Sequence, residues 1–139
     1  MTSIPPMASS TPTKSPAARI TALLAAAIYI PGLIQKLSGA PESVWLFEQT
    51  GMGDLGRYGS AAAEIVAIFL LIQPRYRMLG ALLSIGVMVG AIGSHLGTDL
   101  GVAPVFPGES EGDPTLFAMA VAELVLSAVT LFLVRQPKS

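Results

Sequence analysis

The sequence predicts an all-α membrane protein in which four transmembrane helices pack as one bundle. Three observations carry this. The chain of 139 residues is 52% hydrophobic and only 12% charged, whereas an average soluble domain is about 25% charged. Its mean hydropathy is +0.64. The apolar residues also gather in four stretches, 20–37, 58–72, 78–96 and 115–134, each near the ~20 residues that a helix needs to cross a bilayer. A soluble chain this small has too much surface to cover with so few charges, which argues against an ordinary soluble enzyme. The net charge of −1 supplies no basic field for nucleic acid. The absence of cysteine excludes disulfides and thiolate chemistry by this chain. A single histidine leaves a protein-only zinc or haem site short of ligands, so no metal site is expected.

Residues 1–17 are rich in Pro, Ser, Thr and Ala and read as a disordered tail with little to bury. The membrane domain then spans 18–135, and 136–139 form a short second tail. Backbone groups in hydrocarbon must bond within their own segment, so the four spans are expected to be helices. The second span is short and contains Glu64. Its flanks, Arg57 before it and Arg75 with Arg77 after it, support a crossing. Residues 1–40 also resemble a cleavable signal peptide, with small residues at Ser38 and Ala40. The length of the apolar stretch and Pro41 after the cut argue against cleavage. Pro31-Gly32, inside the first span, implies either a packing kink or a break that bares backbone groups.

The basic residues set an orientation. Lys14 and Arg19, Arg75 and Arg77, and Arg135 and Lys138 fall on one side of a four-span chain with no acidic residue beside them. The opposite loops hold Glu42, Glu48, Asp54, Asp99, Glu109, Glu111 and Asp113, against Lys36 and Arg57. The positive-inside rule therefore puts both termini in the cytoplasm. In the first outer loop, Val44 to Phe47 form an apolar patch between Glu42 and Glu48. This suits a short amphipathic segment on the outer surface or over the bundle mouth, with Trp45 and Phe47 at the interface. Gly51, Gly53 and Gly56 would make a flexible return. In the third span Gly86, Gly90 and Ser94 recur every four residues, with Gly80 and Ser84 below. Such a stripe serves close packing within one bundle or a homodimer through Gly86 and Gly90.

The polar residues within the spans are the candidates for function. A charge at mid-bilayer costs about 2.5–3.5 kcal/mol on insertion scales, so Glu64 and Glu123 should face the bundle and have partners. At about 1.5 Å per residue, Glu64 lies ~9 Å below Tyr58 and Glu123 ~12 Å below Thr115. Gln35 and Lys36 end the first span and His95 ends the third. Lys36 can reach inward to Glu64 or snorkel outward. One reading is an ion pair that fixes how two helices dock. The other is a pocket lined by Lys36, Glu64 and His95 that opens outward and takes a polar head group on an apolar body. Quinones fit that description, and a Glu/His pair can exchange their protons. Glu123 suits a protonated acid hydrogen-bonded across helices, and His95 alternatively bonds a loop carbonyl.

Leu33-Ile34-Gln35-Lys36-Leu37 followed by Gly39-Ala40-Pro41-Glu42-Ser43-Val44 resembles the DoxX family of small membrane proteins. Gly56-Arg57 with Glu64, Pro74, Leu79-Gly80-Ala81, Gly90-Ala91 and Ser94-His95-Leu96 continue the resemblance over about residues 18–134. The GAPESV stretch and the Lys–Glu–His order are its more specific parts. The resemblance implies a four-helix bundle in the bacterial inner membrane. Named members are associated with respiratory or redox complexes, including a small subunit of a thiosulfate:quinone oxidoreductase, and many have no established activity. Lys36, Glu64 and His95 carry over as family-like positions. Glu123 matches no family position, and the lack of cysteine departs from a thiol-based role.

The expected function is thus a membrane subunit of a quinone-linked redox system, with no intrinsic cofactor and an oxidoreductase partner. The alternatives are a scaffold that docks a partner through its acidic loops, and a transporter of small molecules or lipids. Four spans with no evident internal repeat speak against a typical secondary transporter.

Overall fold

The computed structural model describes residues 15–136. Among these, five α-helices and no strand occur: α1 (Pro16–Ser38), α2 (Pro41–Gln49), α3 (Gly53–Ile72), α4 (Arg77–Gly97) and α5 (Thr115–Arg135). One 3-10 turn, Pro74–Tyr76, joins α3 to α4. The helices α1, α3, α4 (with the preceding turn) and α5 are each long and apolar enough to cross a membrane. They close a ring in which α1 packs on α3, α3 on α4, α4 on α5 and α5 back on α1. Every neighbour in that ring is antiparallel. One end carries α2 and the 98–114 connection (the loop end). The other carries the α3–α4 turn, the start of α1 and the end of α5 (the terminal end).

The distribution of side chains is that of a multi-pass membrane protein. Ala18, Ala22, Ala25, Ala26, Ala61, Ala67 and Ala81 are buried, as are Ser84, Ser127 and Thr130. Ile34, Phe69, Leu79 and Phe132 instead point outward, more than half exposed. Small residues inside let helices approach, and large apolar residues outside suit lipid. In water the same surface would form a very large exposed apolar patch.

Several boundaries differ from the expectation. Helix α1 starts at Pro16, so the expected tail is already helical by its end; residues 1–14 lie outside the described residues. The cause is local. The Ser15 hydroxyl accepts the Ala18 amide at 3.2 Å, and Pro16 at the first helical position loses no hydrogen bond there. Helix α1 runs unbroken through Pro31. It ends at Gly39, which adopts φ 72°, the left-handed cap that glycine takes without a Cβ penalty. Ala40 N then donates to Gln35 O at 3.0 Å and Pro41 starts α2. The Ser-Gly-Ala-Pro sequence is therefore a helix corner. At the next corner, the expected flexible return is only partly a turn. Gly51 and Gly53 have positive φ, but α3 begins at Gly53, so Gly56 and Arg57 are helical. Gln136 follows α5, and 137–139 lie outside the described residues.

Two arginines expected at the membrane flanks are buried. Arg77 is 1% exposed, and its Nε donates to the Leu71 carbonyl at 2.9 Å, satisfying an orphan carbonyl at the C-terminus of α3. Arg57 is 5% exposed and joins the loop-end site.

Candidate functional site

A cavity of about 620 Å³ occupies the loop half of the bundle. All four spanning helices line it, and α2 lies against it through Ser43, Leu46 and Phe47. The amphipathic segment thus folds over the bundle. Phe47 is buried, and Trp45 packs on Phe106 of the 98–114 connection with ring centroids 5.2 Å apart. Trp45 and Phe47 therefore join the cap to the rest of the protein rather than serving only as interface anchors.

Lys36 and Glu64 meet in this cavity. Lys36 Nζ donates to Glu64 Oε1 at 2.7 Å and also bonds Oε2. The side chains are 18% and 4% exposed. Helix geometry explains the encounter. Side chains lean toward their helix's N-terminus, so Lys36 on α1 leans toward mid-bundle while Glu64 on α3 leans toward the loop end. Because α3 starts at Gly53, Glu64 lies about 16 Å along it at ~1.5 Å per residue, deeper than the ~9 Å expected. Arg57, one helical stripe above Glu64, donates from Nη1 to the Lys36 carbonyl and from Nη2 to Asp54 Oδ1 at 3.0 Å. It thereby ties the end of α1 to the start of α3. Lys36 Nζ also stands 5.9 Å from the Phe47 ring centroid, within cation–π range.

His95 and Gln35 line the same cavity, but no hydrogen bond links either to the Lys36–Glu64 pair among the described residues. His95 Nδ1 donates to the Gly101 carbonyl at 2.8 Å, and Gly101 N donates back to His95 O at 2.8 Å. The expected loop-carbonyl bond is present. It fixes the tautomer with the proton on Nδ1, leaving Nε2 as the acceptor. The ring also meets Phe117 edge-on at 5.6 Å.

Glu123 lies on the cavity wall from α5 and is 1% exposed. Ser84 Oγ donates to its Oε1 at 3.4 Å, so it is bonded across helices, while Oε2 has no partner among the described residues. Ser84 also bonds the Tyr29 hydroxyl and accepts from Ser127 Oγ at 2.7 Å. Further toward the terminal end Thr130 donates to Thr21 at 2.7 Å. The sequence reading missed Tyr29, Ser127, Thr130 and the role of Arg57. Glu123, Ser127 and Thr130 at i, i+4 and i+7 form one polar stripe on an otherwise apolar helix, and that spacing was the available signal.

The glycines separate into two kinds. A Cβ on Gly80 would lie 2.6 Å from Leu71 N, whereas one on Gly32, Gly59, Gly86 or Gly90 would meet nothing within 4 Å. Close packing of α4 on α3 therefore belongs to Gly80, and Gly86 and Gly90 line the cavity instead. Among the described residues no group of three or more Asp, Glu or His is placed to hold a metal ion. Comparison with known protein families, with curated proteins and with solved structures finds no match to this chain.

Proposed function

We propose that the protein is a DoxX-like membrane subunit of a quinone-linked redox system and that its cavity binds the head group of a quinone. One observation carries this reading: a cavity with mostly apolar walls holds an ion pair whose carboxylate is buried, a histidine of fixed tautomer and a carboxyl group with one unpartnered oxygen. A buried polar atom without a partner costs about 1–3 kcal/mol, and a ligand hydroxyl or carbonyl offers the missing partner to Glu123. The Lys36–Glu64 pair and His95 Nε2 supply further proton donors and acceptors in the same cavity. The chain contributes binding and proton exchange, and electron transfer belongs to the quinone and a partner oxidoreductase. The bacterial inner membrane, with both termini cytoplasmic, is the matching location. Arg19, Arg75 and Arg135 are exposed at the terminal end, while every exposed acidic residue of the loops lies at the other.

The test is extraction of bound small molecules from protein purified in mild detergent, followed by mass spectrometry. Wild type should carry quinone or bind added quinone, and Glu64→Gln and the double variant Lys36→Met/Glu64→Leu should not. Folded wild-type protein that neither carries nor binds quinone would remove the reading.

A second reading has its own observation. Lys36 and Arg57 are paired internally, so the loop end displays Glu42, Glu48, Asp54, Asp99, Glu109, Glu111 and Asp113 without an exposed base among the described residues. That face suits a soluble partner with a basic patch. Co-purification of an oxidoreductase that is released by salt would favour it.

A further inference from the structure

The cavity has a side opening. On α4, Gly80 touches Leu70 and Leu71 of α3. At about 100° per residue, Gly90 and Ser94 lie on one side of Gly80, while Ser84 and His95 lie on the other. Ser84 and His95 face α5, since they meet Glu123, Ser127 and Phe117. Gly90 and Ser94 therefore lie on the α3 side. On α3, Gly59 shares a stripe with Leu70, three full turns away. Counting up both antiparallel helices from the Gly80 contact brings Gly90 level with Gly59 and Ser60, about 15 Å higher. There a Cβ on either glycine meets nothing within 4 Å, and both glycines line the cavity. Helices that touch at Gly80 have separated by this height.

We infer that this α3–α4 cleft is the route by which the ligand enters from the bilayer, and that a single long apolar chain of the ligand rests in it while the head group sits in the cavity. This route rests on the head-group site proposed above. Glu123 lines the cavity, and its buried Oε2 lacks a hydrogen-bond partner among the described residues, an independent sign that the wall can turn a polar group toward a ligand. Part of the loop end is roofed: α2 packs on α1 and α3, and Phe106 of the 98–114 connection packs on Trp45 of α2. The cleft instead opens among the lipid-facing residues of α3 and α4, where an apolar chain keeps its solvation. Such a chain has two natural sources, the isoprenoid tail of a quinone and an acyl chain of a bilayer lipid.

Photolabelling in phosphatidylcholine nanodiscs tests the cleft and separates the sources. One arm uses a benzoquinone with a diazirine on its isoprenoid chain, the other a phosphatidylcholine with a diazirine on one acyl chain. The expected result is labelling of Val87 and Ala91, which line the cavity, at least tenfold lower in Gly59→Leu/Gly90→Leu. Val89, on the outward face, should be labelled equally in both. The added side chains point into open space, so the variant should fold; Gly86→Leu provides a second obstruction. Labelling of Ala91 by the lipid alone would uphold the cleft and remove the quinone reading. Labelling confined to Val89, or unchanged at Ala91 in both variants, would overturn the cleft. So would a wild-type dimer that Gly90→Leu dissociates, since a second copy would then cover the opening.

Discussion

In the terminal half of the bundle, α3 and α4 lie so close that a methyl group on Gly80 would stand 2.6 Å from the Leu71 amide nitrogen. In the loop half, the same two helices present Gly59 and Gly90 to open space. The terminal half is sealed by alanines, by Leu71 and by hydroxyl pairs such as Thr130 with Thr21. The loop half is held apart around a cavity and joined by charge, through Lys36, Glu64 and Arg57. Glycine serves opposite ends in the two regions: it brings backbones together at Gly80 and leaves open space at Gly59 and Gly90. One half therefore specifies the bundle, and the other carries the cavity.

The largest effect should come from cutting the charge joint. Lys36→Met leaves Glu64 buried without its cation, and loss of one partner of a buried pair costs about 3–5 kcal/mol. Lys36→Met/Glu64→Leu should regain most of that stability, because an apolar pair of similar volume is often neutral or better. Unfolding in a mixed-detergent titration checks both. A double variant as unstable as the single one would show that the pair does more than offset its own desolvation. Next comes the tight joint. Gly80→Ala should destabilise by about 1–3 kcal/mol, the usual cost of overpacking, because the colliding atoms are backbone and cannot move aside. Gly86→Ala, in the open half, should instead gain about 0.5–1 kcal/mol from the lower entropy cost of alanine in a helix. The opposite signs of these two substitutions, read in one titration, are the sharpest test that the halves differ in kind.

Much of this contrast was hidden in the sequence, for physical reasons. The spans were legible because hydrocarbon dictates both their length and their internal hydrogen bonding. Lys36 with Glu64 was legible because a buried carboxylate needs a partner. The helix starts at Pro16 and Gly53 were not, since both lie in stretches whose polar or glycine-rich composition resembles a linker. Arg57 and Arg77 resembled interface anchors because a basic residue beside a span satisfies the flank rule whether it points to water or to a carbonyl. Tyr29, Ser84 and Ser127 carry no net charge, so nothing in composition demands that they meet. The cavity was the least legible of all: a glycine every fourth residue is the same pattern whether a neighbouring backbone fills the groove or leaves it empty.

The smallest effect concerns the rim of the loop half, where α5 begins. Asp113 Oδ1 accepts the Thr115 amide at 2.9 Å, and Asp113 N donates to Pro104 O at 2.9 Å, so this residue fastens the 98–114 connection to the first turn of α5. The hydrogen bonds from Thr115 hold the Asp113 carboxyl below its ordinary value of 3.8. A carboxyl whose value is lowered by folding stabilises the folded form above the unfolded value, and that contribution fades as pH falls through the lowered one. Acidification below about pH 4 should therefore loosen the start of α5 in wild type, while Asp113→Asn, which cannot titrate, should show a flatter response over the same range. Because Asp113 is fully exposed, the change should be confined to amide exchange at Thr115 and Leu116, leaving exchange at Leu71 and Ala81 in the terminal half untouched. Equal acid sensitivity in both halves would mean that the loop end and the terminal end open together, and the division between a sealed half and an adaptable one would fail.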